Sequence, residues 1–240
     1  MIVFENVSVA KGGRPVLHDI NLTLGDRRIG IIGRNGSGKS TLARLFNGLE
    51  KPTRGHVRLG SAPVAPDQGA GPDPKAGDSA ADALRHLRRH VGFVFQNPDN
   101  QIVYPIVRED LEFGLKNLKL PPDERRRRIK ATMQRLGIAE LADRFTHELS
   151  GGEKQLVALA GVLVMQPAMI VLDEPTTLLD LWNRRRLLTV LEALEQQVVL
   201  VTHDLDLLDG FDRVLLIDEG RVIADGPPHE VTDRYRSLAA

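Results

Sequence analysis

The feature that most restricts the fold of this chain is a glycine-rich run, GRNGSGKS, at residues 33–40. It follows an apolar run at 29–32 that is typical of a buried strand. It precedes residues 41–49, whose apolar side chains recur at helical spacing. Glycine at 33, 36 and 38 lets consecutive backbone amides close around a polyphosphate. The sequence therefore predicts a phosphate-binding loop between a strand and a helix of an α/β fold.

Two side chains of this loop carry specific chemistry. Lys39 would place its charge beside the β- and γ-phosphates of a nucleotide, and the Ser40 hydroxyl would ligate Mg²⁺. The loop residues predicted to contact ATP are Gly33, Arg34, Asn35, Gly36, Ser37, Gly38, Lys39, Ser40 and Thr41. An ordinary glycine turn is the alternative, and the strand and helix on either side argue against it.

A second motif, MIVLDEP at residues 169–175, is a hydrophobic strand that ends in two acids. Asp173 is expected to hold a water of the Mg²⁺ ion, and Glu174 is a candidate general base. Acids also occur in the first turn of a helix that follows a strand. The presence of a phosphate loop in the same chain favours catalysis.

A third motif, LSGGEKQ at residues 149–155, has two compatible interpretations. Ser150 and Glu153 have the spacing of a capping box, and the apolar run that follows predicts a helix. The same geometry presents free amides to an anion. Since loop 33–40 already accounts for one nucleotide, we expect these amides to face the nucleotide of another subunit. The predicted set is Leu149, Ser150, Gly151, Gly152, Glu153 and Gln155.

Together and in this order, the three motifs resemble those of the nucleotide-binding subunits of ATP-binding-cassette (ABC) transporters, and the resemblance runs over essentially all 240 residues. It implies one domain, 1–240, with a RecA-like P-loop nucleoside-triphosphatase core, an N-terminal antiparallel β-layer and a helical subdomain at 97–154. It implies hydrolysis of ATP with Mg²⁺, and a dimer in which two cassettes enclose two ATP molecules. The partner cassette would be a second copy or a related ATPase.

The resemblance also assigns roles to three single residues. Gln96 matches the glutamine that ligates Mg²⁺ and senses the attacking water, and His203 matches the histidine that contacts the γ-phosphate. Asp180 matches an aspartate at the dimer interface, although Thr177 and Leu178 replace the family's usual serine and alanine before it. Without the resemblance, a single His in a loop would be interpreted as a solvated residue.

The adenine contact departs from the family pattern. Lys11 stands where these cassettes commonly place an aromatic residue against the base. A cation–π contact at an exposed site is worth only about 0.5–1 kcal/mol. We therefore expect weak selectivity for adenine.

Two segments resemble one group within the family, the energy-coupling-factor (ECF) transporters. They are QNPDNQ at 96–101 and EPTTLLD at 174–180, and the segment at 174–180 most resembles the ATPase of biotin-specific modules. Modules for cobalt, nickel or other vitamins are close alternatives. The implied partners are a polytopic membrane coupling protein (T-component) and a small substrate-binding membrane protein (S-component). A non-transport ABC ATPase acting on DNA or ribosomes is the competing class, whereas a metabolite kinase would leave LSGGEKQ and His203 without a role.

Composition limits the partners further. Lys and Arg number 32 and Asp and Glu number 32, so the zero net charge argues against nucleic acid as a partner. There is no cysteine for a disulfide or a thiolate metal site. No apolar run reaches the roughly 20 residues that span a bilayer. We therefore expect a cytoplasmic protein, bound to the inner face of the membrane through a partner.

Two further segments receive structural predictions without a function. Residues 60–82 are rich in Pro, Gly, Ala and Asp, which predicts a mobile surface loop. The arginine run at 125–128 follows an acid and precedes an apolar helical stripe, which predicts a solvated helix face rather than a nucleic-acid site.

Overall fold

The computed structural model describes residues 1–60, 62–63, 74–116, 118–177 and 179–239. They fall into two compact units. The first comprises Met1–Val91 and Gln197–Ala240, and the second comprises Gly92–Gln196. The helical region predicted at 97–154 and the motifs at 149–155 and 169–175 all belong to the second unit. The phosphate loop belongs to the first.

Strands and helices occur in both units. In the described ranges the strands are β1 (Ile2–Lys11), β2 (Arg14–Leu24), β3 (Arg28–Gly33), β4 (Arg54–Leu59), β5 (Ala62–Pro63), β6 (Val91–Val94), β7 (Met169–Asp173), β8 (Gln197–Val201), β9 (Arg213–Asp218) and β10 (Arg221–Gly226). The helices are α1 (Lys39–Leu45), α2 (Pro74–His90), α3 (Val107–Lys116), α4 (Pro122–Arg135), α5 (Gly151–Leu163), α6 (Leu181–Glu192) and α7 (Pro228–Ala239).

An antiparallel sheet in the first unit has the strand order β2-β1-β4-β5. Apolar side chains alternate along β1, where Ile2, Phe4, Val7 and Val9 are all buried. This period of two is expected of a sheet with one face on the core. The N-terminal antiparallel layer implied by the sequence is therefore present.

The first unit also contains β3 with β8 and β9 as its parallel neighbours, and β10 runs antiparallel to β9. Residues 29–33 of β3 are fully buried, as expected of a strand covered on both faces. One core cluster joins Ile32 to Val214, Leu216 and Val231. Strand β3 therefore holds the start of the phosphate loop against a packed core.

Helices dominate the second unit, where β6 and β7 are neighbouring strands. A proline pair marks the start of α4, since Pro121 occupies its N-cap position and Pro122 is its first residue. Arg126 and Arg127 are exposed and pair with acids of the same helix, so the solvated face predicted for the arginine run is confirmed for these two residues.

The loop predicted at 60–82 was wrong from Pro74 onward, because these residues form the first half of α2. Proline is tolerated in the first turn of a helix, and the alanines that follow it have high helix propensity. Leu87 of the same helix is fully buried, so an apolar face anchors the helix to its unit. Residue 61 and residues 64–73 lie outside the described residues.

Candidate functional site

The phosphate loop occupies the turn from β3 into α1 in the first unit. Gly33, Gly36 and Gly38 all have positive φ angles of 149°, 79° and 106°, respectively. Residues with a Cβ atom rarely adopt a positive φ, which explains glycine at each of the three positions. The predicted helix at 41–49 begins earlier, at Lys39, and its regular part ends at Leu45.

The three glycines differ in what surrounds them. A Cβ atom at Gly33 would lie within 3.0 Å of the Ile217 carbonyl oxygen in the neighbouring strand, and one at Gly38 would lie 2.8 Å from Leu17 Cδ2. A Cβ at Gly36 would meet nothing within 4 Å. Packing inside the protein therefore requires two of the glycines, while the third lines an open space of the kind a polyphosphate needs.

Lys39 is 5% exposed, and its ammonium is held by the loop itself. Its Nζ donates to the carbonyl oxygens of Gly33 at 2.8 Å and Arg34 at 2.9 Å. The Ser37 hydroxyl is buried in the same loop and has no hydrogen-bond partner among the described residues. A buried cation and an unsatisfied hydroxyl beside an open glycine turn fit a bound phosphate chain.

Lys11 and His203 also belong to the first unit. Lys11 ends β1, and its Nζ lies 2.6 Å from Glu50 Oε2, so the ammonium predicted to contact adenine is already in an ion pair. His203 is exposed and follows Thr202, whose backbone N–H donates to the Ile31 carbonyl at 3.1 Å. That bond ties the segment carrying His203 to the strand that leads into the phosphate loop.

The two acids of the second motif differ in their surroundings. Asp173 ends the fully buried strand β7 and is itself 3% exposed. Glu174 follows with a φ of 48°, which is uncommon for a residue other than glycine. Backbone strain of this kind clusters at functional sites, so the conformation of Glu174 is consistent with a catalytic role.

Two side chains of the second unit donate hydrogen bonds to the Glu174 carboxylate. Gln96 Nε2 donates to Glu174 Oε2 at 3.3 Å, and Thr177 Oγ1 donates to the same oxygen at 3.2 Å. Glu174 was predicted from its motif, whereas Gln96, 78 residues away in the sequence, was assigned only by the family resemblance. Thr177 appeared in the sequence only as a departure from the family pattern, and its contact with the candidate base was missed.

The capping box predicted at Ser150 is confirmed. The Glu153 backbone N–H donates to Ser150 Oγ at 3.3 Å. The Ser150 hydroxyl and backbone N–H both donate to Glu153 Oε2, at 2.7 and 2.8 Å. These two bonds, the hydroxyl bond first, lower the pKa of the Glu153 carboxyl. The first turn of α5 is therefore fixed, with Ser150 and Gly151 exposed at its end.

Other members of this motif face inward. Leu149 and Gln155 are buried, at 6% and 2% exposed.

Asp180 caps α6, because its Oδ1 accepts the Asn183 backbone N–H at 2.8 Å. The structure therefore gives Asp180, the residue predicted to lie at the dimer interface, a local role as a helix cap.

The fold and the phosphate loop define an α/β P-loop nucleoside triphosphatase. A family model described as ABC transporter matches residues 17–177. The chain belongs to this family and is an ATP-binding subunit of an ABC transporter, with the ATPase activity of its class.

Two similar proteins cover nearly the whole chain. A putative ABC transporter ATP-binding protein of Deinococcus radiodurans is 50% identical over 98% of this chain and 97% of its own. The biotin transport ATP-binding protein BioM of Rhizobium etli is 44% identical over 100% of this chain and 99% of its own.

Two solved structures have the same fold. CbiO1 of Clostridium perfringens, described as part of the ABC transporter complex cbiONQ, superposes with a TM-score of 0.82. It is 36% identical, and the match covers 99% of this chain and 92% of that one. A dimeric bacterial ABC transporter cassette superposes with a TM-score of 0.79 at 28% identity, over 95% and 99% of the two chains.

Among the described helices, none combines the length and the apolar character needed to cross a membrane.

Proposed function

We propose that this ATPase energises an ECF-type importer and that its cargo is biotin. The observation that carries the proposal is the 44% identity to a biotin transport ATP-binding protein over the full length of both chains. The segments at 96–101 and 174–180 support the same assignment. Transition-metal ions and other vitamins are the competing cargoes, and the experiment below distinguishes them.

In the proposed reaction, Glu174 orients or deprotonates the attacking water. Gln96 and Thr177 hold its carboxylate through the bonds at 3.3 and 3.2 Å, which restricts the direction in which it can accept a proton. Lys39 is screened from solvent beside the loop, where its charge acts on the β- and γ-phosphates more strongly than in water. His203 contacts the γ-phosphate in this proposal, and Lys11 lies near the base.

The oxygen donors in the chain fit a magnesium ion. The Ser40 hydroxyl and the Asp173 carboxylate are hard oxygen ligands, and Gln96 donates its Nε2 to Glu174 and so has Oε1 to offer a metal. Mg²⁺ bound with ATP would neutralise charge on the phosphate oxygens. We assign these three residues as its ligands or as partners of its waters.

The motif at 149–155 acts on the nucleotide of a partner cassette in this proposal. The backbone amides at the start of α5 carry partial positive charge, which suits a γ-phosphate. Asp180 contacts the partner at the same interface. ATP thus closes two copies, or this chain and a related ATPase, and closure moves a polytopic membrane protein. A small membrane protein holds the cargo, and the ATPase works at the inner face of the membrane.

The test uses Glu174→Gln protein with ATP in a pull-down from detergent-solubilised membranes. Removing the proton acceptor while keeping the side-chain shape should abolish hydrolysis, spare ATP binding and trap the closed dimer. Glu195→Gln, at an exposed residue of the same unit, is the matched control and should hydrolyse ATP normally. Recovery of one polytopic protein with a small hydrophobic protein carrying biotin supports the proposal.

Recovery of the same two partners with a metal ion or another vitamin would refute the biotin assignment alone. Recovery of ribosomes or DNA would refute transport. Hydrolysis by the Glu174→Gln protein at the rate of the Glu195→Gln protein would refute the role of Glu174.

A further inference from the structure

Asn183 lies between two parts of the second unit that the proposed function places at the dimer interface. Its side-chain Nδ2 donates to Asp180 Oδ2 at 3.1 Å, and its backbone N–H donates to Asp180 Oδ1 at 2.8 Å. The same carboxamide lies against the start of α5. A Cβ atom on Gly152 would come within 3.0 Å of the Asn183 side-chain carbon, oxygen and nitrogen.

The backbone of Gly152 does not itself require glycine. It lies in the first turn of α5 and is absent from the residues of positive φ. Alanine has the higher helix propensity by about 1 kcal/mol, so the helix alone would favour a side chain there. Close packing of the Asn183 carboxamide against the Gly152 backbone gives a reason for glycine within the chain.

Asn183 belongs to a helix that is fixed along its length. Arg186 Nη2 donates to the carbonyl oxygens of Leu136 and Gly137, after the end of α4. At the other end, Arg135 Nη2 donates to the Ala193 carbonyl at 2.8 Å. The Asn183 side chain thus connects Asp180 to the start of α5 on a helix that is held at both ends.

We propose that Asn183 is a positioning residue that links Asp180 to the signature segment, residues 150–152. When a partner cassette contacts Asp180, it thereby sets the position of the amides at residues 150–152, which bind the nucleotide of that partner. This inference rests on the proposed function, since both elements must act on a partner. It adds a residue that the three motifs leave out.

The first test measures ATP-driven dimerisation of the Glu174→Gln protein by analytical ultracentrifugation. Adding Asn183→Ala should raise the ATP concentration needed for dimerisation about 3- to 100-fold, the range expected for losing the coupling between groups in contact. Binding of ATP to the monomer should not change, because the phosphate loop is untouched. Arg185→Ala, at an exposed residue of the same helix, is the control and should dimerise like its parent.

Asn183→Asp separates the hydrogen bond from the packing. It keeps the shape of the side chain but places a second carboxylate beside Asp180 and removes the donor. The inference expects it to weaken dimerisation at neutral pH as Asn183→Ala does. Dimerisation equal to the parent in both variants would overturn the inference.

The second test is a rescue. Gly152→Ala should weaken dimerisation because the new methyl group overlaps the Asn183 carboxamide, and Gly152→Ala with Asn183→Ala should dimerise better than Gly152→Ala alone. A double variant no better than Gly152→Ala would mean that the glycine is needed for the partner's nucleotide and not for Asn183, which contradicts the inference. If the Glu174→Gln parent itself fails to dimerise with ATP, the proposed function has failed.

Discussion

Gly33 and Gly36 should respond very differently to the same substitution by alanine. Both have positive φ, and a side chain in such a conformation costs about 1–2 kcal/mol. Gly33→Ala adds a steric term, since its Cβ would lie within 3.0 Å of the Ile217 carbonyl oxygen. That oxygen belongs to a paired strand, because Gly33 and Ile217 are register partners, so relief requires the two strands to separate.

Overpacking of this kind costs about 1–3 kcal/mol. We therefore expect unfolding free energies lowered by about 1–2 kcal/mol in Gly36→Ala and by about 2–5 kcal/mol in Gly33→Ala. Urea unfolding followed by far-UV circular dichroism measures the difference. Gly36→Ala should weaken ATP binding more than its small loss of stability would explain, because the new methyl group projects into the open space of the loop.

Equal loss of stability in the two variants would refute the account of how the loop is packed. Normal ATP affinity in a folded Gly36→Ala protein would refute the position we give the phosphates.

Three further predictions concern single side chains. Hydrogen bonds from Ser150 lower the pKa of the Glu153 carboxyl. The ionised carboxylate therefore stabilises the folded protein above its unfolded pKa, and this stabilisation is lost as the pH falls below about 5. Between pH 6 and about 3, the free energy of unfolding should fall less in Glu153→Gln than in the parent protein. Lys11→Tyr should improve ATP binding by about fivefold or more in a titration with nucleotide, since stacking on a base is worth about 1–3 kcal/mol; an unchanged affinity would mean that position 11 does not face the base. Gln96→Ala removes a donor to Glu174 and should lower kcat about 10- to 100-fold with a smaller change in KM, as for other groups that orient a reacting one.

Local chemistry explains which features were predictable. The phosphate loop and the capping box at Ser150 each depend on residues within a few positions of one another, and both appear as expected. Helix α2 was not predicted over its first half, since proline and glycine near residue 74 outweighed the alanines that follow. Helix propensity is a weak guide to helix position where an apolar face, here including Leu87, packs the helix against the rest of its unit.

By itself, the sequence determined the class of chemistry, because glycine spacing, a strand ending in two acids and a helix cap are short-range patterns that here occur together and in a fixed order. Only the tertiary structure decided which side chains meet. Gln96 reaches Glu174 across 78 residues, and the Asn183 carboxamide packs on Gly152. Contacts of this kind depend on how separate helices and strands are placed against one another, and packing of the whole unit sets that placement.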